Sequence, residues 1–241
     1  MREEILRSLA KRMVNSSNTV IFTGAGMSTE SGLPDFRSKG GMWNVSDPME
    51  LATVTAMRNN YNKFHSFYSN RFIQMRDAAP NVGHKILAEL EALGIVRCII
   101  TQNIDGLHAA AGSRTVYELH GSVGKVRCME CGAPSTQEEF IARTPCPECG
   151  GYLRPGVVLF GESLPVDALE ASWSAAEKSD VFIVMGSSLQ VSPANQFPAI
   201  AKNAGALLVI CNRDITPMDY IADYRTNDGI GEFLTGLKAL M

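Results

Sequence analysis

The chain has 241 residues, of which 45% are hydrophobic and 20% charged, a balance that excludes an intrinsically disordered polypeptide. Its 22 basic and 25 acidic residues leave a net charge of −3, so no bulk positive field draws it to nucleic acid or anionic lipid. The longest apolar runs, at 181–185 and 206–211, fall well short of the roughly 20 residues that span a bilayer, and the charged N-terminal stretch lacks the apolar centre of a secretory signal.

Apolar positions at Ile5, Leu6, Leu9 and Met13 predict a helix over residues 1–15. Residues 19–23 read as a short buried strand, and a glycine-rich turn follows at Gly24-Ala25-Gly26. The polar stretch from 24 to 41 predicts a mobile loop over a ligand, with Phe36 and Arg37 facing it. Residues 49–78 read as helices that group Tyr61, Phe64, Phe67, Tyr68 and Phe72 on one side. A further helix starts at Pro80-Asn81, runs through Leu93 and stops at Gly94. Residues 95–101, 181–185 and 207–210 are three more strands, among helices around 165–178, 195–203 and 230–240. Apolar strands alternating with helices predict an α/β fold whose parallel sheet is covered on both faces.

Residues 124–155 break this pattern. They carry glycine, proline, polar residues and two Cys-x-x-Cys pairs, Cys128/Cys131 and Cys146/Cys149, and they cannot bury much core. Four thiolates complete a zinc tetrahedron and leave no open position, so the segment reads as an inserted module held by one structural zinc. The surrounding domain takes residues 1–123 and 156–241. The module sets Lys125, Arg127 and Arg143 against Glu130, Glu138, Glu139 and Glu148, which argues against a nucleic-acid zinc ribbon. Cys98 and Cys211 lie in apolar runs, where a reduced cysteine acts as a small hydrophobe. Together the cysteines imply a reducing, cytoplasmic setting.

Other candidates cluster at strand ends. Glycines after the first strand let a backbone approach a pyrophosphate, although a tight turn needs them for steric reasons alone, and Thr29 stands where a dinucleotide fingerprint has its third glycine. Gln102-Asn103-Ile104-Asp105 can hydrogen-bond a ribose or an amide, or else cap the next helix. His120 is placed as a general base or as a structural histidine. His65 and His84 read as surface or helix-start residues, and His108 stays open. Gly186-Ser187-Ser188 and Asn212-Arg213-Asp214 are polar turns on the same sheet edge.

The run from Gly24 to Arg37, Gln102–Asp105, Leu119-His120-Gly121, the four cysteines, Phe160-Gly161-Glu162 and Gly186–Ser188 resemble the sirtuins, the NAD-dependent protein deacylases, in order and over nearly the whole chain. The resemblance implies a Rossmann-type domain with a small zinc module, and NAD meeting an acyl-lysine protein or peptide in the cleft between them. It implies that Gly24, Ala25, Gly26, Thr29, Phe36 and Arg37 line the cofactor loop. Gln102, Asn103, Ile104 and Asp105 would hold nicotinamide and its ribose, and Gly186, Ser187, Ser188, Asn212 and Ile230 the adenosine half. Val158, Phe160, Gly161 and Val191 would flank the acyl-lysine peptide, with His120 as general base. A nicotinamide dehydrogenase, a zinc-ribbon interaction module and an ADP-ribosyl transferase are the alternatives. Tyr68-Ser-Asn-Arg71 has the spacing with which some sirtuins bind succinyl- or malonyl-lysine. The expectation is nevertheless that Tyr68 joins the aromatic face, Arg71 lies in solvent and deacetylation is the main activity.

Overall fold

The computed structural model describes residues 2–44 and 47–241. Helix α1 (Arg2–Val14) takes the first predicted helix apart from Met1, which lies outside the described residues, and Asn15, which is already in the turn that leads to β1 (Thr19–Thr23). After a 3₁₀ turn at Ala25–Ser31 come α2 (Pro48–Leu51), α3 (Val54–Asn59) and α4 (Tyr61–Arg76). The three are separate because Asp47, Thr53 and Asn60 each cap a new start with a side-chain oxygen. Next are α5 (Val82–Ala92), β2 (Cys98–Thr101), α6 (Leu107–Ala110) and β3 (Val116–Glu118). The cysteine-bearing stretch holds β4 (Gly121–Cys128), β5 (Pro134–Ser135), α7 (Gln137–Ile141) and β6 (Leu153–Val157), whose outer ends pass beyond residues 124 and 155. The chain then returns through α8 (Val166–Glu177), β7 (Val181–Met185), α9 (Phe197–Asn203), β8 (Leu207–Cys211), β9 (Tyr224–Thr226) and α10 (Ile230–Lys238).

The large sheet is parallel, in the order β3-β2-β1-β7-β8-β9. Its central strands are buried along their whole length because each face carries helices. Ile21, Ile99, Ile183 and Val209 pack against Leu9 and Met13 of α1, Leu87 and Leu90 of α5, and Phe233 and Leu237 of α10. The alternate residues Val20, Phe22, Phe182, Val184 and Leu208 pack against Ala176 of α8 and Phe197 and Ala201 of α9. This period of two, apolar on both faces, is what a doubly covered parallel strand requires. The strand order reverses between β1 and β7, which opens a crevice at their carboxyl ends.

The strand expected from residue 95 begins at Cys98. Ile95 and Val96 instead donate their N–H groups to the Leu90 carbonyl and finish the end of α5, with Gly94 at φ +75°.

The small sheet is antiparallel, in the order β5-β4-β6, with its register shifted between Ser122 and Val126. Its core is shared: Val126, Phe140 and Leu153 pack with Phe64, Tyr68 and Phe72 of α4. Polar contacts close the seam. Arg143 donates from Nε to His65 Nδ1 (3.1 Å) and from Nη2 to Asn62 Oδ1 (2.8 Å), and His65 Nε2 donates to the Phe140 carbonyl (2.6 Å). The sequence placed His65 at the surface; it is buried because α7 covers that side of α4.

Candidate active site

The carboxyl ends of β1, β2, β3, β7 and β8 converge with the segment after β6 on a cavity of about 570 Å³, within the usual range for a small-molecule site. Ala25, Gly26, Thr29, Phe36, Arg37, Gln102, Asn103, Ile104, Asp105 and His120 line it, as do Val158, Phe160, Gly161, Gly186, Ser187, Ser188, Val191, Asn212 and Ile230. Gly24 does not. Its N–H donates to the Met185 carbonyl, and a Cβ there would lie 2.8 Å from the Gly186 oxygen. At Gly26 a Cβ would lie 2.7 Å from Gly186 Cα. Both glycines are therefore needed for the close approach of two adjacent turns.

At the base of the cavity Ser28 Oγ donates to Asp105 Oδ2 (2.7 Å) and accepts from Asn103 Nδ2 (3.1 Å). Asp105 Oδ1 also accepts from the Leu107 N–H (2.9 Å), so this carboxylate both starts α6 and faces the cavity. The Asn103 N–H donates to Thr101 Oγ1, which accepts from Thr23 Oγ1. Thr23 in turn meets His108 Nε2 at 3.0 Å. His108 is 2% exposed; burial and the neighbouring His84 push its pKa down to about 3. His84 starts α5 as expected, in a reciprocal cap with Asn81. On the other wall Ser187 Oγ donates to Gln102 Oε1 (2.7 Å).

His120 Nδ1 lies 3.0 Å from the Gln102 carbonyl. A carbonyl only accepts, so Nδ1 carries the proton and Nε2 keeps its lone pair. Burial lowers the imidazole pKa below the ordinary histidine value; the Gln102 hydrogen bond opposes this, and Arg37 adds to it. The ring is therefore a neutral base at pH 7.

The loop after β1 folds over the mouth. Asp35 Oδ1 accepts from the Ser38 N–H and Oγ, which tightens the turn after Phe36. Phe36 stacks on Trp43 (5.1 Å) and Trp43 on Phe67 (6.0 Å). Arg71 sits 5.5 Å over the Phe36 ring and is 5% exposed. The expectation that Arg71 lies in solvent is thus overturned, because this loop covers it. Burial lowers the pKa of both Arg37 and Arg71, with Tyr68 and Asp105 opposing it at Arg71, and neither guanidinium is in an ion pair with a carboxylate among the described residues. Ser28, Asp35 and Trp43 also line the cavity but were not singled out from the sequence. Ser28 had a signal, a hydroxyl inside the glycine-rich turn, whereas Trp43 reaches the site only through its stack.

Away from the cavity, the sulfur atoms of Cys128, Cys131, Cys146 and Cys149 all lie within 4.8 Å of one another. Two of the separations are 3.5 Å and 3.7 Å. Zinc–thiolate bonds of about 2.3 Å in a tetrahedron give sulfur–sulfur edges of about 3.8 Å. All four residues are free cysteines, and the donor set fits a closed structural zinc site.

Comparison with known proteins agrees with this arrangement. An "NAD-dependent protein deacetylase" of Oceanobacillus iheyensis is 50% identical over 225 residues, 92% of this chain and 95% of that protein. An "NAD-dependent protein deacylase 1" of Archaeoglobus fulgidus is 43% identical over 241 residues, 98% and 96% of the two chains. A solved complex of Sir2 with a p53 peptide and NAD⁺ superposes with a TM-score of 0.89 at 36% identity, covering 97% of each chain. The sequence profile of the Sir2 family matches residues 24–193, from the turn after β1 to the loop after β7. With most of the cavity lining and the whole cysteine cluster inside that span, which exceeds half of the chain, the chain belongs to the Sir2 family.

Proposed function

We propose that this protein is an NAD-dependent protein-lysine deacylase that moves an acyl group from a lysine side chain to ADP-ribose and releases nicotinamide. The observation that carries this reading is His120. Its Nε2 is an available base in the same cavity as Asp105, Asn103 and the Phe36 loop. NAD, when bound, supplies the ribose carbon that parts from nicotinamide and the hydroxyls that receive the acyl group. Asp105 and Asn103, locked by Ser28, hold the nicotinamide end, with Gln102 and Ile104 beside them. Ser187, Ser188, Asn212 and Ile230 hold the adenosine half, and Ala25, Gly26 and Thr29 lie along the diphosphate. Phe36 and Arg37 shield the reacting centre from bulk water. His120 Nε2 takes the proton from a ribose hydroxyl, and the Gln102 carbonyl keeps the ring in the tautomer that can do so. Val158, Phe160, Gly161 and Val191 flank the acyl-lysine and its peptide. Val157, the last residue of β6, joins the segment after it in the cavity wall, so the small sheet meets the cleft at that end. The module's thiolates need a reducing compartment, which supports a cytoplasmic location; no helix among the described residues is long and apolar enough to cross a membrane.

Mass spectrometry of the purified protein with NAD and a panel of acyl-lysine peptides tests the reading. Free lysine peptide, nicotinamide and O-acyl-ADP-ribose in equal amounts are expected. NADH would indicate a dehydrogenase, and ADP-ribosylated protein a transferase.

One observation favours a second substrate class. Arg71, buried and in no ion pair with a carboxylate among the described residues, lines the cavity beside Tyr68, its guanidinium held by Gln74 Oε1 and Met42 Sδ. A guanidinium in that state pairs strongly with a carboxylate, so desuccinylation accompanies the deacetylation that the bacterial relatives' names support. Comparing kcat/KM on acetyl- and succinyl-lysine versions of one peptide, in wild type and Arg71→Met, decides it: negligible succinyl activity in wild type removes this second class, and succinyl activity that survives Arg71→Met removes Arg71 as its cause.

A further inference from the structure

The segment after β6 forms one wall of the cavity, and its backbone is fixed at several points. The Val158 N–H donates to the His120 carbonyl (2.9 Å) and the Phe160 N–H to the Ala52 carbonyl (2.9 Å). Val54 N–H returns a bond to the Phe160 carbonyl (3.3 Å), a single parallel bridge between the two stretches. The turn itself is closed by Glu162, whose Oε2 accepts from the Leu159 N–H (2.8 Å).

Glu162 is in turn gripped by Arg154. Nη1 reaches Oε1 at 2.6 Å and Nη2 reaches Oε2 at 2.9 Å, a two-pronged fork. Nη2 also donates to the Val157 carbonyl (2.8 Å). The Arg154 side chain is 6% exposed and that of Glu162 25%. Burial acts to raise the Glu162 pKa, but the hydrogen bonds from Arg154 and Leu159 outweigh it and keep the carboxyl below its ordinary value. Glu162 is thus an ionised acceptor with both oxygens engaged, and it has no proton to give to the chemistry.

A buried ion pair is a poor source of stability, so its placement needs another account. Arg154 lies on β6, one residue after Leu153, which is in register with Cys128. Glu162 lies on the far side of the turn that carries Val158, Phe160 and Gly161. The pair therefore ties the cysteine-bearing sheet to the cavity wall, and through Val158 to the backbone of His120.

We propose that Arg154 and Glu162 are positioning residues for the peptide part of the substrate: their fork presets the backbone of Val157–Gly161 against which the substrate chain docks. This rests on the deacylase reading above. Without the fork the segment must be ordered at each binding event, and that cost appears as weaker peptide binding. An acyl-lysine with no flanking residues makes no use of a preset backbone and escapes most of the cost.

The experiment compares wild type with Glu162→Gln, Glu162→Asp and the double variant Arg154→Met/Glu162→Gln. The double variant removes both charges and so leaves no buried ion unpaired. Each is assayed on an acyl-lysine peptide and on N-acetyl-acyl-lysine amide. Zinc content and ADP-ribose affinity serve as measures of an intact fold. In the double variant the peptide KM is expected to rise about 10- to 100-fold, the scale of a misplacement near 1 Å. Its kcat at saturation should stay within about 3-fold, and its loss on the single-residue substrate should be about ten times smaller than on the peptide. Glu162→Asp, which keeps the charge but shortens the reach, should fall between. Equal losses on both substrates, or no loss on either while wild type deacylates, overturn the positioning role and leave the enzyme reading standing. A wild-type protein that turns over neither substrate overturns both.

Discussion

The two sheets solve the same problem by different means. Strands β1 and β7 are buried at every position and clamped between helices on both faces, so apolar burial alone fixes their register. Strand β4 alternates irregularly between buried and exposed residues, and β5 has only two residues. The small sheet makes up its core from the aromatic face of α4 and gathers its two cysteine hairpins around one point. One region is self-sufficient; the other depends on a metal and on a neighbour's side chains. The cavity lies where the two meet, so its floor is rigid and one wall is conditional.

Metal removal should have the largest effect. Structural zinc contributes roughly 10 kcal/mol or more to small modules. Chelation, or Cys146→Ala, should abolish hydrogen-exchange protection in β4 and β6 while β1 and β7 keep theirs. Collapse of all four strands together would show that the two regions are one cooperative unit.

His120 is the next largest. It stands at the join, with β3 just before it and Gly121 of β4 immediately after. His120→Ala should lower deacylation by about 10² to 10⁴, the range for a general base, with an unchanged melting temperature and ADP-ribose affinity. A fall in melting temperature of several degrees would make His120 a hinge between the regions instead.

Acid should separate the regions further. His108 has a folded pKa near 3 against roughly 6.5 in an unfolded chain. The unfolded state therefore binds a proton that the folded state refuses between those values. Stability is fully present above about pH 6.5 and falls with acid by about 1.4 kcal/mol per pH unit for this one group. Urea unfolding from pH 7.5 to 5.5, where the unfolded histidine is half titrated at the centre, should cost wild type about 1.4 kcal/mol more in total than His108→Asn; equal losses would remove His108 as the cause.

The smallest effect belongs to the seam. Arg143 holds φ +57°, and Arg143→Ala keeps that backbone cost, so the difference reports the bonds to His65 and Asn62. A loss of about 1 kcal/mol, seen as faster exchange in α7 and none in β7, is expected. No change in α7 would mean that the shared apolar core alone holds the module in place.

What was legible in the sequence follows the same division. The bounds of β1 and β7 were readable to the residue, because five apolar or β-branched positions in a row have one use in an α/β chain. Strand β9 was missed: Tyr224-Arg225-Thr226 is short and not apolar, and it exists only because β8 offers an edge. The small strands were invisible for want of periodicity, although the cysteine spacing announced their module. In the site, residues at strand ends were readable because the sheet edge gathers them. Arg71 was misread because what buries it, the loop bearing Phe36 and Met42, lies far away in sequence. Glu162 stood in a motif that carried the family resemblance, but nothing in the sequence linked it to Arg154.

The strand order has a consequence for synthesis. Strand β1 is the middle of the large sheet, yet Thr19 is in register with Val181. At roughly 5–20 residues per second on the ribosome, the first strand waits about 8 to 30 s for its second partner to be made. During that interval β2 can pair with one edge of β1, but the other edge, lined by Val20, Ile21 and Phe22, stays open in a nascent chain. Temporary cover for that edge is a requirement written into the topology, and slowing translation before residue 181 should lower the soluble yield.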